Sequence, residues 1–386
     1  MTLSSINIGT SGLVGFSRQL ETISNNVANL NTPGFKGANS QFSALFAGGG
    51  GMADAKTGSG LAMLPSTVDF VQGQVSQTGN DLDVAIDGQG FFVLRDDAGA
   101  LLYTRDGRFS FNTDSVLVNN QGAHVQALGT DGGLHDVTLD GVRTNPASAS
   151  TTVKMLGTLS TADASKVVSG ISVTDAAGGT HTLSVEFKNN TAVTPGSWAA
   201  TVKDGNTTVA TGEVRFNNGV LNPAFSKIAF TYSPAGVAPM PLTFVLDTGT
   251  TSAASGASSL AMSSVDGYGV GTLGSATFDA SGMLALSYSN GQKATPQTLA
   301  LASFGATSDL VQGPGTSFLS RRLGAGVLGV ADGKMSTIAA ESLEGSNVDL
   351  SRQFSAIIIT QRGYQASSEL ISTANQMLDT LMQMKG

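Results

Sequence analysis

The sequence predicts a mainly β protein with an α-helix at each end. A discontinuous inner β domain carries an inserted outer β domain, and the two terminal helices pair in coiled-coil fashion. Three observations predict this class. Apolar residues return every seventh position at both chain ends, as in helices that bury one stripe. The middle of the chain alternates short apolar runs with Gly, Asn and Asp turns. Loops rich in Ser, Ala and Thr fence off residues 147–276, with one connector in and one out. The expected division is therefore 1–32 and 346–386 as the helical ends, 33–70 as a linker, 71–146 and 277–345 as the inner β domain, and 147–276 as the insertion.

At the N-terminus a helix is expected from about Ser4 to Asn29. Ile6, Leu13, Leu20 and Val27 form one row; Gly9, Phe16, Ile23 and Leu30 follow three residues behind. Gly9, Gly12 and Gly15 each cost about 1 kcal/mol relative to Ala inside a helix, so this segment is expected to order only against partners. Asn31-Thr32-Pro33-Gly34 ends it, because a residue before proline avoids the α region. The Gly48–Gly51 run and the aperiodic stretch that follows read as linker.

From Asp83 to Leu128 the pattern is a meander. Its strands are Phe91–Leu94, Leu101–Thr104, Arg108–Phe111 and Val116–Val118, with Asp106-Gly107 as a two-residue hairpin signal. In the insertion, Leu183/Val185/Phe187, Ile228/Phe230/Tyr232 and Leu242/Phe244/Leu246 alternate as half-buried strands. The inner domain resumes at Thr277-Phe278, turns at Asp279–Gly282, and continues through a Gly-rich tract, 305–333. The last helix is expected from Ser346-Asn347 to about Met384. Its first row is Leu350, Ile357, Tyr364, Ile371 and Leu378. The row taken as its partner is Phe354, Gln361, Ser368, Asn375 and Met382, apolar at both ends and polar between, the kind of interruption that sets register.

Composition narrows the function. Hydrophobic residues make up 40% of the 386, and charged residues only 12%, about half the usual ~25%. Net charge is −8 with no Lys/Arg cluster, which argues against nucleic acid as a partner. The absence of cysteine excludes disulfides and thiolate chemistry. No run approaches the ~20 apolar residues of a membrane-spanning helix, so membrane insertion is not expected. Residues 1–15 lack the basic and apolar regions of a cleavable secretory signal.

No motif asks for catalysis, a cofactor or a metal. Gly269–Gly274 and Gly324–Gly329 match GxGxxG but lack the strand-before, helix-after setting of a dinucleotide site. Asp81, Asp83 and Asp87 resemble half a calcium loop, yet Ala85 stands where an oxygen ligand belongs; capping of a strand is the simpler reading. His124, His135 and His181 have no metal-ligand spacing.

Two ends and one middle stretch are more specific. Ser24–Lys36, with Asn25, Asn26, Asn29, Pro33, Gly34 and Phe35, resembles the N-terminal signature of bacterial flagellar rod and hook proteins. Leu343–Leu350, with Asn347 and Asp349, followed by Gln361-Arg362-Gly363-Tyr364, is similar to their C-terminal signature. Asp83–Phe92 and Tyr103–Phe109 are similar to their inner β domain. Rod members lack a large insertion, so 147–276 and Tyr288–Gly291 point to the hook branch. The resemblance implies a curved helical tube passing torque from rod to filament. Its partners would be further copies of the chain, a distal rod protein, a hook cap protein, a hook–filament junction protein and the flagellar type III export apparatus. It also implies location in the hook, outside the cell, without a cleaved signal. A distal rod protein and a secreted β-rich adhesin are the rival readings.

Overall fold

The structure, a computed structural model, describes residues 2–46, 58–322, 324, 326–333 and 336–385. It is mainly β with one long helix at each end: α1 (Thr2–Ala28) and α2 (Leu350–Lys385). The expected Gly48–Gly51 linker lies outside the described residues. The chain forms two compact units. One comprises Met1–Asp140, Ala276–Ala285 and Thr295–Gly386; the other comprises Gly141–Ser275 and Leu286–Ala294.

In the first unit a ten-stranded sheet centres on Phe91–Arg95, which is bordered by Leu101–Thr104, His124–Leu128 and Leu301–Phe304. One of its cores gathers Phe91, Val93, Tyr103, Ala302 and Phe318. The rings meet edge-on, Phe70 at 5.6 Å from Phe91 and 5.0 Å from Phe318, and Tyr103 at 4.8 Å from Phe304, the arrangement their quadrupoles favour. Two small antiparallel pairs bring late chain onto early chain. Ser336–Ala340 pairs with Val84–Gly88, and Ser342–Glu344 with Val75–Gln77.

The second unit is a sandwich. A four-stranded sheet faces a seven-stranded one, and alternate residues of each, among them Val153, Met155, Phe244, Val185, Phe187, Trp198 and Val214, share one core. Leu183, Val185, Phe187, Ile228, Tyr232, Leu242, Phe244 and Leu246 are buried, and Phe230, expected with them, is half-buried against the same core.

Three expectations need correction. First, 33–70 is not simply linker: Ala38–Phe46 and Gly58–Val68 pair as an antiparallel hairpin. Its apolar residues show no clean alternation because one face lies on α1 and the rest is partly exposed. Second, the inserted unit begins at Gly141, and Leu286–Ala294 belongs to it. Leu286 and Ser287 pair with Ala294 and Lys293, and Tyr288 Oη donates to Val142 O at 2.8 Å. Third, Asp106-Gly107 closes no hairpin. Leu101–Thr104 pairs with Phe91–Arg95 and Ser317–Ser320, whereas Phe109–Phe111 pairs with Leu117–Asn119. A type I′ turn needs positive φ at both central residues, and neither residue has it. The glycine is required for space instead: a Cβ there would fall 1.6 Å from Val84 O.

Candidate functional site

The two helices run antiparallel and meet through small residues. A Cβ on Gly9 would lie 2.7 Å from Ile371 Cγ1, one on Gly12 would lie 2.6 Å from Ser367 Oγ, and one on Gly363 would lie 2.5 Å from the Phe16 ring. At the far end Asn26 Nδ2 donates to Gln353 Oε1 at 3.4 Å. Of the three glycines that weaken α1 alone, Gly9 and Gly12 are therefore points of close approach to α2, while Gly15 faces Phe42. Their propensity cost is offset by backbone packing that any side chain would prevent.

This contact corrects the second seam row of α2. Thr360, Ser367 and Ala374 are buried, and Gln353 half-buried, three residues behind the first row. Phe354 and Met382 are 53% and 76% exposed, and Gln361, Ser368 and Asn375 are exposed as well. A heptad row has a neighbour three positions on and another four positions on. Size favoured the row with Phe and Met, but a partner face of glycines takes the row with Thr, Ser and Ala. In the first row Ile357, Ile371 and Leu378 are half-buried, while Leu350 and Tyr364 are exposed. On α1, Ile23 is buried; Ile6, Leu13, Phe16, Val27 and Leu30 are half-buried; Leu20 is exposed.

The hairpin covers a different side of α1. Ser11 Oγ accepts from Leu61 N at 3.1 Å, Ser40 Oγ donates to Thr22 Oγ1 at 2.9 Å, and Phe42 sits against Gly15 and Phe16. Asn26 is fixed by both atoms of its amide: Nδ2 donates to Ala38 O at 2.8 Å, and Oδ1 accepts from Ala38 N at 3.0 Å. Its side chain substitutes for a neighbouring strand.

Apart from Gln361 and Arg362, the remaining motif residues lie at the junction between chain ends. Asn29 Nδ2 donates to Asn25 O and Oδ1, both at 3.0 Å, and Thr32 Oγ1 donates to Asn29 Oδ1, closing the end of α1. Pro33 is half-buried and Phe35 buried. Gly34 adopts φ +69°, and a Cβ would lie 2.2 Å from Asp106 N, so only glycine fits. Asn347 Oδ1 accepts from Gly37 N at 2.8 Å, and its Nδ2 donates to Asp69 O at 2.7 Å. Asp349 caps α2 by accepting from Ser351 N and Arg352 N. Gln361 and Arg362 are exposed on α2.

At the centre lies a charged cluster that the sequence left among its motif strings without assigning it a role. Glu344 is fully buried. Its Oε1 accepts from Lys36 Nζ at 2.5 Å and from Gly73 N at 2.8 Å; its Oε2 accepts from Arg105 Nη1 at 3.0 Å. Its backbone O accepts from Gly34 N at 2.8 Å. Lys36 also donates to Val71 O, and Arg105 Nη2 to Gly88 O, both at 2.8 Å. Burial pushes the Lys36 ammonium below its ordinary value, and the hydrogen bond to Glu344 opposes that shift. The available signal was placement: in a chain with 12% charged residues, Lys36 and Glu344 each sit directly behind an apolar residue in a motif.

Elsewhere the polar groups have local duties. Asp83 accepts from Thr78 Oγ1 at 2.8 Å and Asn80 Nδ2 at 3.1 Å. The histidines pair separately, His124 with Asp136, His135 with Asp131 and His181 with Asp175. Among the described residues no cluster of three or more such side chains is arranged to hold a metal.

Comparison with known proteins places these features. Residues 6–36 match the family described as flagella basal body rod protein, 85–190 the flagellar hook protein FlgE/F/G D1 domain, and 339–384 the flagellar basal body rod FlgEFG protein C-terminal region. The chain is 30% identical to flagellar hook protein FlgE of Treponema pallidum, over 98% of each chain. It is 29% identical to flagellar hook protein FlgE of Salmonella typhimurium, over 99% of this chain and all of that one. A third relative, from Borreliella burgdorferi, is 28% identical over 99% of both.

Proposed function

The chain belongs to the flagellar hook protein FlgE family, a structural subunit of the bacterial flagellum, and from that premise we propose how its parts divide the work. The terminal helices supply cohesion between copies. The unit comprising 141–275 and 286–294 supplies the adjustable outer contacts that let the tube bend while it passes torque.

The observation that carries this reading is the surface of α2 that α1 leaves uncovered. Phe354, Ile358, Ile359, Leu370 and Met377 are between 52% and 69% exposed, an apolar surface that a soluble monomer has no use for and a second copy can bury. The distal rod, hook cap, hook–filament junction and type III export proteins are the further partners this role requires. Passage to the cell exterior without a cleaved signal belongs to the same role. The outer unit's neutral, hydroxyl-rich surface suits contacts that slide each revolution without breaking strong ion pairs.

Electron microscopy of the purified full-length chain after salting-out tests the reading: curved tubes are expected. Straight tubes would reject the role given to the outer unit, and failure to polymerise would reject self-assembly through the helices.

A further inference from the structure

Three separate segments converge on one side chain. Glu344 holds Lys36, 308 residues away, Gly73, 271 residues away, and Arg105, 239 residues away. Lys36 belongs to the stretch that leaves α1, and Glu344 lies six residues before α2 begins. Both charged side chains of the Lys36–Glu344 pair are inaccessible to solvent. Two cations and one anion are held in a place where an unpaired charge is strongly disfavoured.

We propose that Glu344 is a latch: its carboxylate is the buried charged node that both helix bases share with the sheet of the first unit, so that its charge is balanced only when both chain ends have arrived. The geometry gives the node its direction. Oε1 serves the N-terminal arm through Lys36 and Gly73, and Oε2 serves the inner unit through Arg105. The backbone of the same residue takes Gly34 N. Arg105 is itself anchored on Ile86 O and Gly88 O and lies 5.4 Å from the Phe91 ring, so it is held against the sheet. The Lys36 ammonium, by contrast, is held by Glu344 and Val71 O.

A generic core residue and a latch respond differently to substitution. In Glu344→Gln, Lys36 and Arg105 lose their counter-charge together. In Lys36→Met, only the N-terminal arm lets go, and Arg105 still holds Glu344. In the double variant no buried ammonium remains to be repelled from the site.

Hydrogen-exchange mass spectrometry on the full-length monomer separates these cases. Glu344→Gln is expected to speed exchange roughly tenfold or more in both 26–38 and 343–353 while leaving 91–95 unchanged, as local opening rather than global unfolding demands. Lys36→Met is expected to speed 26–38 alone, and adding it to Glu344→Gln to slow 26–38 back toward the single Lys36→Met level. Unchanged exchange at 26–38 in Lys36→Met overturns the latch. So does equal loss of protection at 26–38 and 91–95 in either single variant.

Discussion

Gly12 and Ser367 approach so closely that a Cβ on the glycine would lie 2.6 Å from the serine Oγ. One turn earlier, Gly9 stands in the same relation to Ile371. Gly9→Val should separate the helices at a cost of about 1–3 kcal/mol, the usual price of forcing carbon into a filled interface. Hydrogen exchange would show both helices losing protection while the inner sheet keeps its own. Ser368→Leu, one residue along α2 and exposed, should change stability by no more than about 0.5 kcal/mol. If Ser368→Leu were instead the damaging change, the seam would lie on the row of larger residues after all.

Leu20 and Ile357 test the two uses of the helices. Leu20 is 36% exposed in the single chain, so Leu20→Asp should leave the monomer's fold intact and block polymerisation, read by sedimentation and microscopy. Ile357 is half-buried, so Ile357→Asp should also loosen α1 from α2. Normal polymers from Leu20→Asp would remove that residue from the assembly surface.

Limited trypsin digestion gives a further check. Arg18, Arg352 and Arg362 are exposed, whereas Lys36 is buried in its ion pair. Cleavage of the monomer should begin at the three arginines and reach Lys36 late. In the polymer the arginine sites should be protected. Early cleavage after Lys36 in the intact monomer would contradict the buried cluster.

The unit comprising 141–275 and 286–294 carries an alkaline limit. Burial pushes the Tyr232 hydroxyl up to about 12, helped by its hydrogen bond to Asp204. The unfolded group ionises near 10, so its contribution is fully present below that pH and lost as pH rises from 10 toward 12. Thermal melting of the purified chain should show this unit destabilised across this window, and Tyr232→Phe should flatten the slope. An unchanged slope in Tyr232→Phe would assign the alkaline loss to other groups.

The heptad rows made the helical ends legible, because a stripe repeated every seventh residue has few other uses. Alternation made Leu183–Phe187 and Leu242–Leu246 legible for the same reason. The hairpin at 38–46 and 58–68 was not: it lies on a helix that supplies Ser11, Gly15 and Thr22, so its strands need no strong apolar alternation. The α2 row of Thr360, Ser367 and Ala374 was missed because residue size says nothing about what the partner offers. Once Gly9 and Gly12 are known to face it, small residues are the ones that fit. The Glu344 cluster is a tertiary fact. Glu344 lies 239 to 308 residues from its partners, and only the folded chain shows that two positive groups answer to one carboxylate.

The hairpin lying on α1 has a consequence for valence. With α2 against Gly9, Gly12 and Phe16, and the hairpin against Ser11, Gly15 and Thr22, two sides of α1 are already taken within the chain. Ile6 and Leu13, half-buried, and Leu20, exposed, repeat at seven-residue spacing as a third stripe, and we propose that side as the one from which a neighbour comes. A subunit open on one flank and blocked on the other is polarised. If the neighbour meets that stripe with a different surface of its own, the contact is not self-complementary and does not end at a pair; it repeats head to tail. Growth in one sense along a tube would then already be written into how a single chain folds its first seventy residues.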